Sequence, residues 1–193
     1  MIRARKLSRS FGDKRVLEAL DLDVPRGGFV VVTGPNGSGK TTLLRLCAGL
    51  YAPTEGELDV DVPRAAIGFL AHEPLVYREL TALENLDLYG RLYHLPERRE
   101  RAGAMLERFG LWRARNERAG TFSRGMLQRL ALCRTFLHDP DLLLLDEPFD
   151  GLDSEGAELL HAELAERSSV TALVATHDPE ALAARASARL ALA

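Results

Sequence analysis

The segment that most limits how this chain can fold is a β-branched run followed by a glycine-rich turn. Residues 29–33 read FVVVT, residues 34–41 read GPNGSGKT, and the segment that follows, TLLRLCAGL, has leucines at helical spacing. Its apolar positions are Leu43, Leu44, Leu46 and Leu50. A short apolar run predicts a buried strand, and the spacing of the leucines predicts a helix. A strand, a tight turn and a helix in this order favour an α/β fold with a parallel sheet.

The turn fits the pattern G-x-x-x-x-G-K-[ST] of a phosphate-binding loop, and its flanking strand and helix argue against a chance turn. Gly37 and Gly39 have no Cβ, so backbone N–H groups can close around phosphate oxygens at a helix N-terminus. Lys40 would reach the β- and γ-phosphates of ATP, and the Thr41 hydroxyl would bind Mg²⁺. The predicted nucleotide-binding residues of this loop are Gly34, Asn36, Gly37, Ser38, Gly39, Lys40, Thr41 and Thr42.

A second segment, LLLLDEP at 142–148, supplies acidic groups. Four leucines predict a buried strand that brings Asp146 to the edge of the sheet, where it can bind Mg²⁺ directly or through water. Glu147 follows at once and is the candidate general base or water-orienting group. In a chain with a phosphate loop, this pair of acids predicts a nucleoside triphosphatase.

The remaining segments extend the α/β pattern. AAIGFL at 65–70 and VTALVATHD predict strands, and SEGAELLHAELAERS predicts an amphipathic helix. From Leu80 to about Leu137 the pattern is helical, with breaks at Pro96 and Gly120. The final PEALAARASARLALA fits either a helix or an alternating tail. We therefore expect an open, mostly parallel sheet with a helical block inserted in the middle.

Composition excludes several other classes. The formal net charge is −3 and the pI about 6.0, so no basic footprint indicates nucleic acid. Cys47 and Cys133 lie in apolar helical patterns and are interpreted as buried hydrophobes rather than a disulfide or a metal pair. The amino terminus lacks a signal-peptide core, and no apolar run could span a bilayer. We expect a soluble, cytoplasmic chain whose membrane role, if any, comes through a partner.

The segment FSRGMLQRLALCRTFLHDPDLLLLDEP at 122–148 resembles the signature motif, helix and Walker B strand of the ATP-binding cassette (ABC) ATPases. The resemblance covers nearly the whole chain. It implies a single ABC ATPase domain, 1–193, with a P-loop NTPase core of mostly parallel sheet and flanking helices. Residues 1–72 and 138–193 would form that RecA-like core with a small antiparallel β part, and about 73–137 an inserted helical subdomain.

The resemblance also implies roles for residues outside the phosphate loop. Phe11 in SRSFGDKRVL matches the aromatic residue that stacks on adenine. Ser123 and Gly125 in FSRGM match signature residues that contact the γ-phosphate of ATP bound to the opposite subunit. Asp153 in DGLD matches the acid of the D-loop at the dimer interface, and His177 in VATHD matches the switch histidine near the γ-phosphate.

Three residues depart from the family pattern. Arg124 and Met126 replace the usual glycine and glutamine of the signature, and Asp150 replaces the usual serine of the D-loop. None removes a group that must contact phosphate, so we expect activity to survive. Because the signature lies far from its own phosphate loop, a complete site would need a two-fold homodimer with ATP at the seam.

The family contains transporters and non-transporters. Relatives that act on DNA or ribosomes carry coiled coils, zinc insertions or a second cassette, and none is present in this sequence, so we favour a transporter motor over a soluble non-transport ATPase. Such a motor would bind an integral-membrane permease, not nucleic acid, at the cytoplasmic face of the cell membrane. The predicted docking face is 73–95, with apolar positions Tyr77, Leu80 and Leu83, although all three also fit an ordinary core.

His72 in FLAHEPLVY bears on the type of transporter. GFLAHEPLVYRELTALENLDLYGRLYHL resembles the ATP-binding subunit of the haem exporter of cytochrome c biogenesis, which also has His where other ABC ATPases have Gln. The alternative is a generic type-2 exporter of lipid, polysaccharide or drug. A neutral imidazole can accept a hydrogen bond from a metal-bound water, and as a cation it would repel Mg²⁺. Because Mg²⁺ prefers oxygen ligands, we predict contact through water.

Overall fold

The computed structural model describes all 193 residues, Met1–Ala193, and these form two compact units. The first unit contains Met1–His72, Asp141–Glu147 and Ser169–Ala193. The second contains Glu73–Pro140 and Pro148–Ser168. The second unit thus includes a stretch, Pro148–Ser168, that the sequence-based division gives to the RecA-like part. The assignment of 1–193 to a single domain stays a prediction.

The first unit holds all the strands of the chain and one α-helix, α1 (Lys40–Cys47). The strands are β1 (Ile2–Phe11), β2 (Lys14–Val24), β3 (Phe29–Thr33), β4 (Glu55–Val60), β5 (Ile67–Leu70), β6 (Leu142–Asp146), β7 (Thr171–Ala175) and β8 (Ala188–Ala191). Short 3₁₀ turns lie at Arg64–Ala66 and Glu180–Leu182. Three strands make an antiparallel sheet in the order β2-β1-β4, and five make a parallel sheet in the order β5-β6-β7-β3-β8.

The parallel sheet has an apolar centre because its middle strands are buried on both faces. All five residues of β6 and of β7 are buried, as are the first four of β3. The carboxyl-terminal segment, for which the sequence left a helix or a tail open, forms a 3₁₀ turn and then β8. Val30 on β3 pairs with Ala188, and Thr33 pairs with Ala191.

Helix α1 is shorter than the leucine pattern predicts. Gly49 has φ +67 and lies just beyond the end of the helix, in the left-handed region that commonly terminates helices. Leu50 therefore lies outside the helix and is 48% exposed, so its assignment to the apolar helical face is wrong. Cys47 is buried as predicted, and burial raises the pKa of its thiol to about 12.

The second unit is helical. Its helices are α2 (Ala82–Leu92), α3 (Arg98–Arg108), α4 (Arg124–Phe136) and α5 (Ser154–Glu166), with 3₁₀ turns at Trp112–Ala114 and Ala119–Thr121. Three of the four helices begin at side-chain caps, which satisfy free N–H groups of the first turn. Thr81 forms a capping box with Glu84, Ser123 accepts from Met126 N, and Asp153 accepts from Gly156 N.

The core of the second unit contains one buried ion cluster as well as apolar packing. Phe109 and Phe136 stack with ring centroids 6.0 Å apart. The Glu163 carboxylate is 3% exposed and accepts hydrogen bonds from Arg108 and Arg167, which satisfies a charge that would be costly alone. Cys133 is fully buried, as predicted, and burial raises the pKa of its thiol. No helix in either unit combines the length and apolarity needed to cross a membrane.

Candidate functional site

The phosphate loop, Gly34–Thr41, links β3 to α1 through backbone conformations that require glycine. Gly34 has φ +146, and a Cβ there would lie 2.4 Å from Leu192 O. Gly39 has φ +99, and a Cβ there would lie 2.9 Å from Val16 O. A side chain at either position would meet backbone atoms that cannot move away cheaply. The loop therefore holds its shape through close packing with β2 and with Leu192, which follows β8.

Two polar side chains of the loop are buried. Lys40 is 8% exposed. Its ammonium group donates to Gly34 O at 2.7 Å and to Pro35 O at 3.1 Å. The Ser38 hydroxyl is buried and has no hydrogen-bond partner. Buried hydroxyls are normally satisfied, so this one indicates a place for an external polar group. A phosphate oxygen is such a group.

Thr41 and Asp146 meet at the carboxyl end of β6. The Thr41 hydroxyl donates to Asp146 Oδ2 at 2.7 Å, and Asp146 is 2% exposed. Burial raises the pKa of the Asp146 carboxyl, while the Thr41 hydrogen bond and the charge of His72 act in the opposite direction. A buried carboxylate at this place would gain from a nearby cation.

Glu147 is held in an unusual backbone conformation. Its φ is +48, which is uncommon for a residue other than glycine, and its N–H donates to Ala175 O at 2.9 Å. Its Oε2 accepts from the backbone N–H of His177 at 3.2 Å and lies 2.8 Å from His177 Nδ1. A carboxylate only accepts, so the ring proton of His177 lies on Nδ1 in this contact. Non-glycine residues in this region cluster at functional sites.

A cleft of about 500 Å³ opens over these groups. The predicted residues that line it are Asn36, Gly37, Gly39, Lys40, Thr41, Thr42, His72, Asp146 and Glu147. His177 contacts Glu147 without lining the cleft. Gly34 and Ser38 do not line it either, and Ser38 lines a neighbouring cavity together with Leu17 and Leu192. Lys14 and Val16 of β2 also line the cleft, and the sequence analysis missed both. No motif in their own segment marks them as site residues.

Phe11 does not line this cleft. It ends β1, is 41% exposed, and meets the Tyr51 ring edge-on at a centroid distance of 5.4 Å. The Arg9 guanidinium lies 4.5 Å from the centre of the Phe11 ring. Phe11 is thus an exposed aromatic ring in a small cluster with a cation and a second ring. Its stacking on adenine stays a prediction.

The other predicted residues, Ser123, Gly125 and Asp153, belong to the second unit. Ser123 is exposed, and its Oγ accepts from Met126 N at 3.2 Å, so the hydroxyl proton remains available to an external acceptor. Asp153 is exposed and accepts from Gly156 N at 2.9 Å, which leaves its second carboxylate oxygen to solvent. A Cβ on Gly125 would lie 2.9 Å from Gly151 O. The signature segment and the loop before α5 are therefore in direct contact.

The groups around Thr41 fit a magnesium ion. A hydroxyl and a carboxylate are hard oxygen donors, and Mg²⁺ usually takes one or two protein oxygens together with phosphate oxygens and water. The chain has no group of three or more His, Cys, Asp or Glu side chains that could hold a metal ion.

The comparison with protein families gives one match that covers most of the chain. The profile described as ABC transporter matches residues 17–150. This range includes the phosphate loop, the signature segment and both acids at the end of β6, Asp146 and Glu147. The chain belongs to the ABC transporter family. The assignment as an ABC ATPase, made from the sequence, is confirmed.

Curated relatives in the family extend over most of this chain. The daunorubicin resistance ATP-binding protein DrrA3 of Streptomyces coeruleorubidus is 43% identical over 159 residues, which cover 77% of this chain and 50% of the relative. The ABC transporter ATP-binding protein NatA of Bacillus subtilis is 38% identical over 195 residues, covering 92% and 79%. An aliphatic sulfonates import ATP-binding protein, SsuB 1 of Pseudomonas syringae, is 40% identical over 180 residues, covering 92% and 64%. The chain thus spans only about half to two-thirds of several relatives.

Solved structures share the fold. A dimeric post-hydrolysis state of the ATP-binding cassette MJ0796, bound to ADP and Pi, matches with a TM-score of 0.82 at 31% identity and covers 94% of this chain and 90% of that chain. An ATP-binding subunit of an ABC transporter matches with a TM-score of 0.91 at 28% identity, covering 99% and 85%. The predicted α/β fold, with a mostly parallel sheet and a small antiparallel sheet, is confirmed. The haem-exporter type stays a prediction.

Proposed function

We propose that the chain is the ATP-binding and ATP-hydrolysing motor subunit of an ABC transporter. The observation that carries this proposal is the meeting of Thr41, Asp146 and Glu147 at one edge of the parallel sheet, beside the phosphate loop. Ligands of open α/β sheets bind outside the carboxyl ends of the strands, where these groups lie. Relatives named for drug resistance and sulfonate import support a role in transport.

The phosphate loop holds the triphosphate in this proposal. Lys40 exchanges its bonds to Gly34 O and Pro35 O for β- and γ-phosphate oxygens, which are charged and bind an ammonium more strongly than carbonyls do. The unpartnered Ser38 hydroxyl donates to a phosphate oxygen. Thr41 and Asp146 would hold Mg²⁺, which, when bound, neutralises charge that develops on the phosphates.

Glu147 takes the proton of the attacking water. His177 occupies Glu147 Oε2 through both its backbone N–H and Nδ1, and this leaves Oε1 to accept the water proton. The side chain of Glu147 is 16% exposed, so its orientation is well defined by its surroundings. His72 lines the same cleft and would act on Mg²⁺ through water rather than as a direct ligand, because Mg²⁺ prefers oxygen ligands.

Two copies of the chain bind ATP at their seam. Ser123 and Gly125 of one copy face the γ-phosphate held by the other, and Asp153 lies at the same interface. The exposed hydroxyl of Ser123, at the N-terminus of α4, supports this role because helix N-termini favour anions. Phe11 stacks on the adenine base. MJ0796, which is dimeric with ADP and Pi, supports the arrangement by likeness.

The face formed by 73–95 docks a cytoplasmic segment of an integral-membrane permease, which places the chain at the cytoplasmic face of the cell membrane. Tyr77 is 54% exposed, and Leu80 and Leu83 are half-buried. Leu75, beside them in sequence, is 48% exposed. Exposed apolar side chains close together favour a contact surface over an ordinary core.

The narrower proposal is export of the haem, cytochrome c biogenesis type. It is supported by the segment GFLAHEPLVYRELTALENLDLYGRLYHL and by the position of His72 in the cleft, where a Gln would otherwise stand. A generic type-2 exporter of lipid, polysaccharide or drug is the second candidate, supported by the relative named for daunorubicin resistance.

One purification tests both the motor function and the type of molecule that is exported. The chain should be isolated with its membrane partner in mild detergent, and phosphate release should be measured with Mg-ATP and with EDTA. Mg²⁺-dependent hydrolysis that the membrane partner stimulates supports the motor function, and its absence overturns it. The absorption spectrum of the small molecule that co-purifies then separates haem from a lipid or drug.

A further inference from the structure

Two of the residues that depart from the ABC pattern contact each other. Arg124 replaces the signature glycine, and Asp150 replaces the D-loop serine, 26 residues along the chain. The Arg124 Nη2 group donates to Asp150 Oδ2 at 2.6 Å, within the second unit. The side chains are 74% and 33% exposed, respectively. The two substitutions therefore form one local structure.

The turn after Asp150 leaves space for the side chain of Arg124. Gly151 has φ +77, and a Cβ on it would lie 3.0 Å from both Cγ and Nε of Arg124. The stem of Arg124 thus packs over a residue with no side chain. Gly125 approaches the same turn, since a Cβ on it would lie 2.9 Å from Gly151 O. A larger residue at Gly151 would push the arginine away from the carboxylate.

The charges explain why the arginine needs a partner. Arg124 is the first residue of α4, and the first turn of this helix holds no acidic residue. A cation at a helix N-terminus is unfavourable because it meets the positive end of the helix dipole. Asp150 supplies the missing negative charge from a neighbouring loop. The pair is neutral as a whole, whereas either residue alone would leave a net charge beside Ser123.

We propose that Arg124 and Asp150 act as one neutral positioning pair, which keeps the signature segment against the loop before α5 and presents Ser123 and Gly125, rather than a guanidinium, to the nucleotide on the partner copy. The proposal rests on the proposed ATP-dependent dimer and adds two positioning residues to it. It predicts that the net charge of the pair, and not the arginine alone, sets how strongly Mg-ATP joins two copies.

The two single substitutions should shift the dissociation constant of the Mg-ATP dimer in opposite directions. Arg124→Gly leaves the Asp150 carboxylate uncompensated, so it repels the partner's triphosphate and weakens the Mg-ATP dimer. Asp150→Ser leaves the Arg124 cation and strengthens the dimer. Because the pair is partly exposed, we expect shifts of about three- to fivefold in the dimer dissociation constant. The double substitution, and the exchange Arg124→Asp with Asp150→Arg, should lie within about twofold of the parent.

Sedimentation velocity of the full chain with Mg-ATP, in a Glu147→Gln parent that retains ATP, measures these constants. The shifts should shrink at 1 M salt, where the screening length is only about 3 Å. Thermal unfolding checks each variant. Arg124→Gln, which keeps the stem over Gly151 and loses the charge, replaces Arg124→Gly if the latter does not fold.

Five outcomes of these measurements are possible, and each one supports or overturns the proposal. Opposite shifts that cancel in the double substitution support the neutral pair. Two weakened single variants indicate a merely structural contact and overturn it. A double variant that dimerises as weakly as Arg124→Gly alone makes Arg124 a direct phosphate ligand and also overturns it. A parent that stays monomeric with Mg-ATP overturns the proposed dimer itself, and the pair with it, whereas a dimeric parent with unshifted variants overturns only the pair.

Discussion

The phosphate loop and the signature segment differ in how far each is complete within one chain. Lys40 and Asp146 are 8% and 2% exposed, and both have hydrogen-bond partners inside the protein. Ser123 and Asp153 are exposed, and each uses one oxygen to cap a helix. The first region is buried and is held by contacts within one chain. The second presents polar groups outward, as a surface that meets another molecule does.

Because of this difference, substitutions in the two regions should change different measured quantities. A change in the phosphate loop should alter binding or chemistry at any protein concentration, because the affected contacts lie within one chain. A change in the signature segment should alter only what depends on association of two chains. The following predictions use this distinction, beginning with the largest effect.

Glu147→Gln should reduce ATP turnover by about 10² to 10⁴-fold, the usual contribution of a general base. The amide can hold the water but cannot take its proton, so ATP binding should persist and a Mg-ATP dimer should accumulate. Phosphate release and size-exclusion chromatography measure the two effects. Glu158→Gln, at an exposed position on α5, is the matched control. A Glu147→Gln protein that stays monomeric and hydrolyses ATP normally would remove Glu147 from this role.

Lys40→Ala should weaken ATP binding by about 10- to 100-fold, because it removes a charged hydrogen-bond donor from a buried site. Titration calorimetry with Mg-ATP at two protein concentrations measures the change, which should be the same at both. Lys14→Ala is the control, since Lys14 lines the same cleft from an exposed position. It should cost about threefold or less. Unchanged affinity in the Lys40 variant contradicts our interpretation of the loop.

Ser123→Ala should leave ATP binding to the single chain within about twofold of the wild type and weaken the Mg-ATP dimer by about 5- to 10-fold. The substitution also removes the cap of α4, so the free energy of unfolding should fall by ~1 kcal/mol. Ser123→Thr keeps a hydroxyl and a cap and should behave like the wild type. If Ser123→Ala lost monomer affinity as Lys40→Ala does, the contrast between the two regions would fail.

Asp146→Asn should stabilise the nucleotide-free protein. Burial raises the pKa of Asp146, so its stabilising contribution is complete below the ordinary Asp pKa and is lost as pH rises through the raised value. At a pH above the raised pKa, the ionised carboxylate therefore destabilises the fold. The variant should melt about 2 to 4 °C higher, the shift that ~1 kcal/mol gives in a domain of this size.

Calorimetry at two pH values checks this prediction. The gain in Tm should disappear near pH 3, below the ordinary Asp pKa of ~3.9, because the wild-type carboxyl is then neutral as well. With Mg-ATP the order should reverse, since an amide is a poorer ligand for Mg²⁺ than a carboxylate. An Asp146→Asn protein that melts lower at pH 7 without nucleotide would show that the carboxylate is stabilising.

Tyr77→Asp should have the smallest effect on basal hydrolysis, within about twofold, and should abolish stimulation by the membrane partner. The ring is 54% exposed and packs only loosely on Tyr89, at a centroid distance of 6.4 Å, so the fold should tolerate the change. Leu50→Asp, at an equally exposed leucine outside 73–95, is the control. Loss of folding in the Tyr77 variant alone would favour a core role for this residue.

The sequence predicted the parts of the fold that depend on local pattern. The strands β3, β6 and β7 are continuous apolar runs, which predict buried strands. The loop between β3 and α1 has a sequence motif that predicts phosphate binding. Strand β8 was left open between a helix and an alternating tail because its residues are mostly exposed and lack apolar continuity. Its place in the sheet depends on pairing with a strand about 160 residues away.

The candidate site was predictable where a residue with suitable chemistry lies in a recognisable motif or at the end of an apolar strand, as do Lys40, Thr41 and Asp146. Lys14 and Val16 were missed because nothing in their own segment marks them, and only the pairing of β2 brings them to the cleft. The contact between Arg124 and Asp150 was also missed, although both were noted as departures. Side chains on separate loops give no sequence pattern by which a pairing can be recognised.

The backbone of Glu147 has a consequence for engineering. Its left-handed conformation is one that glycine adopts freely and that costs other residues of the order of 1 kcal/mol or more. Screening a library of variants for heat resistance would therefore favour glycine at this position and discard the carboxylate. Thermostability and turnover select opposite residues here, and any programme of directed evolution on this scaffold should hold position 147 fixed.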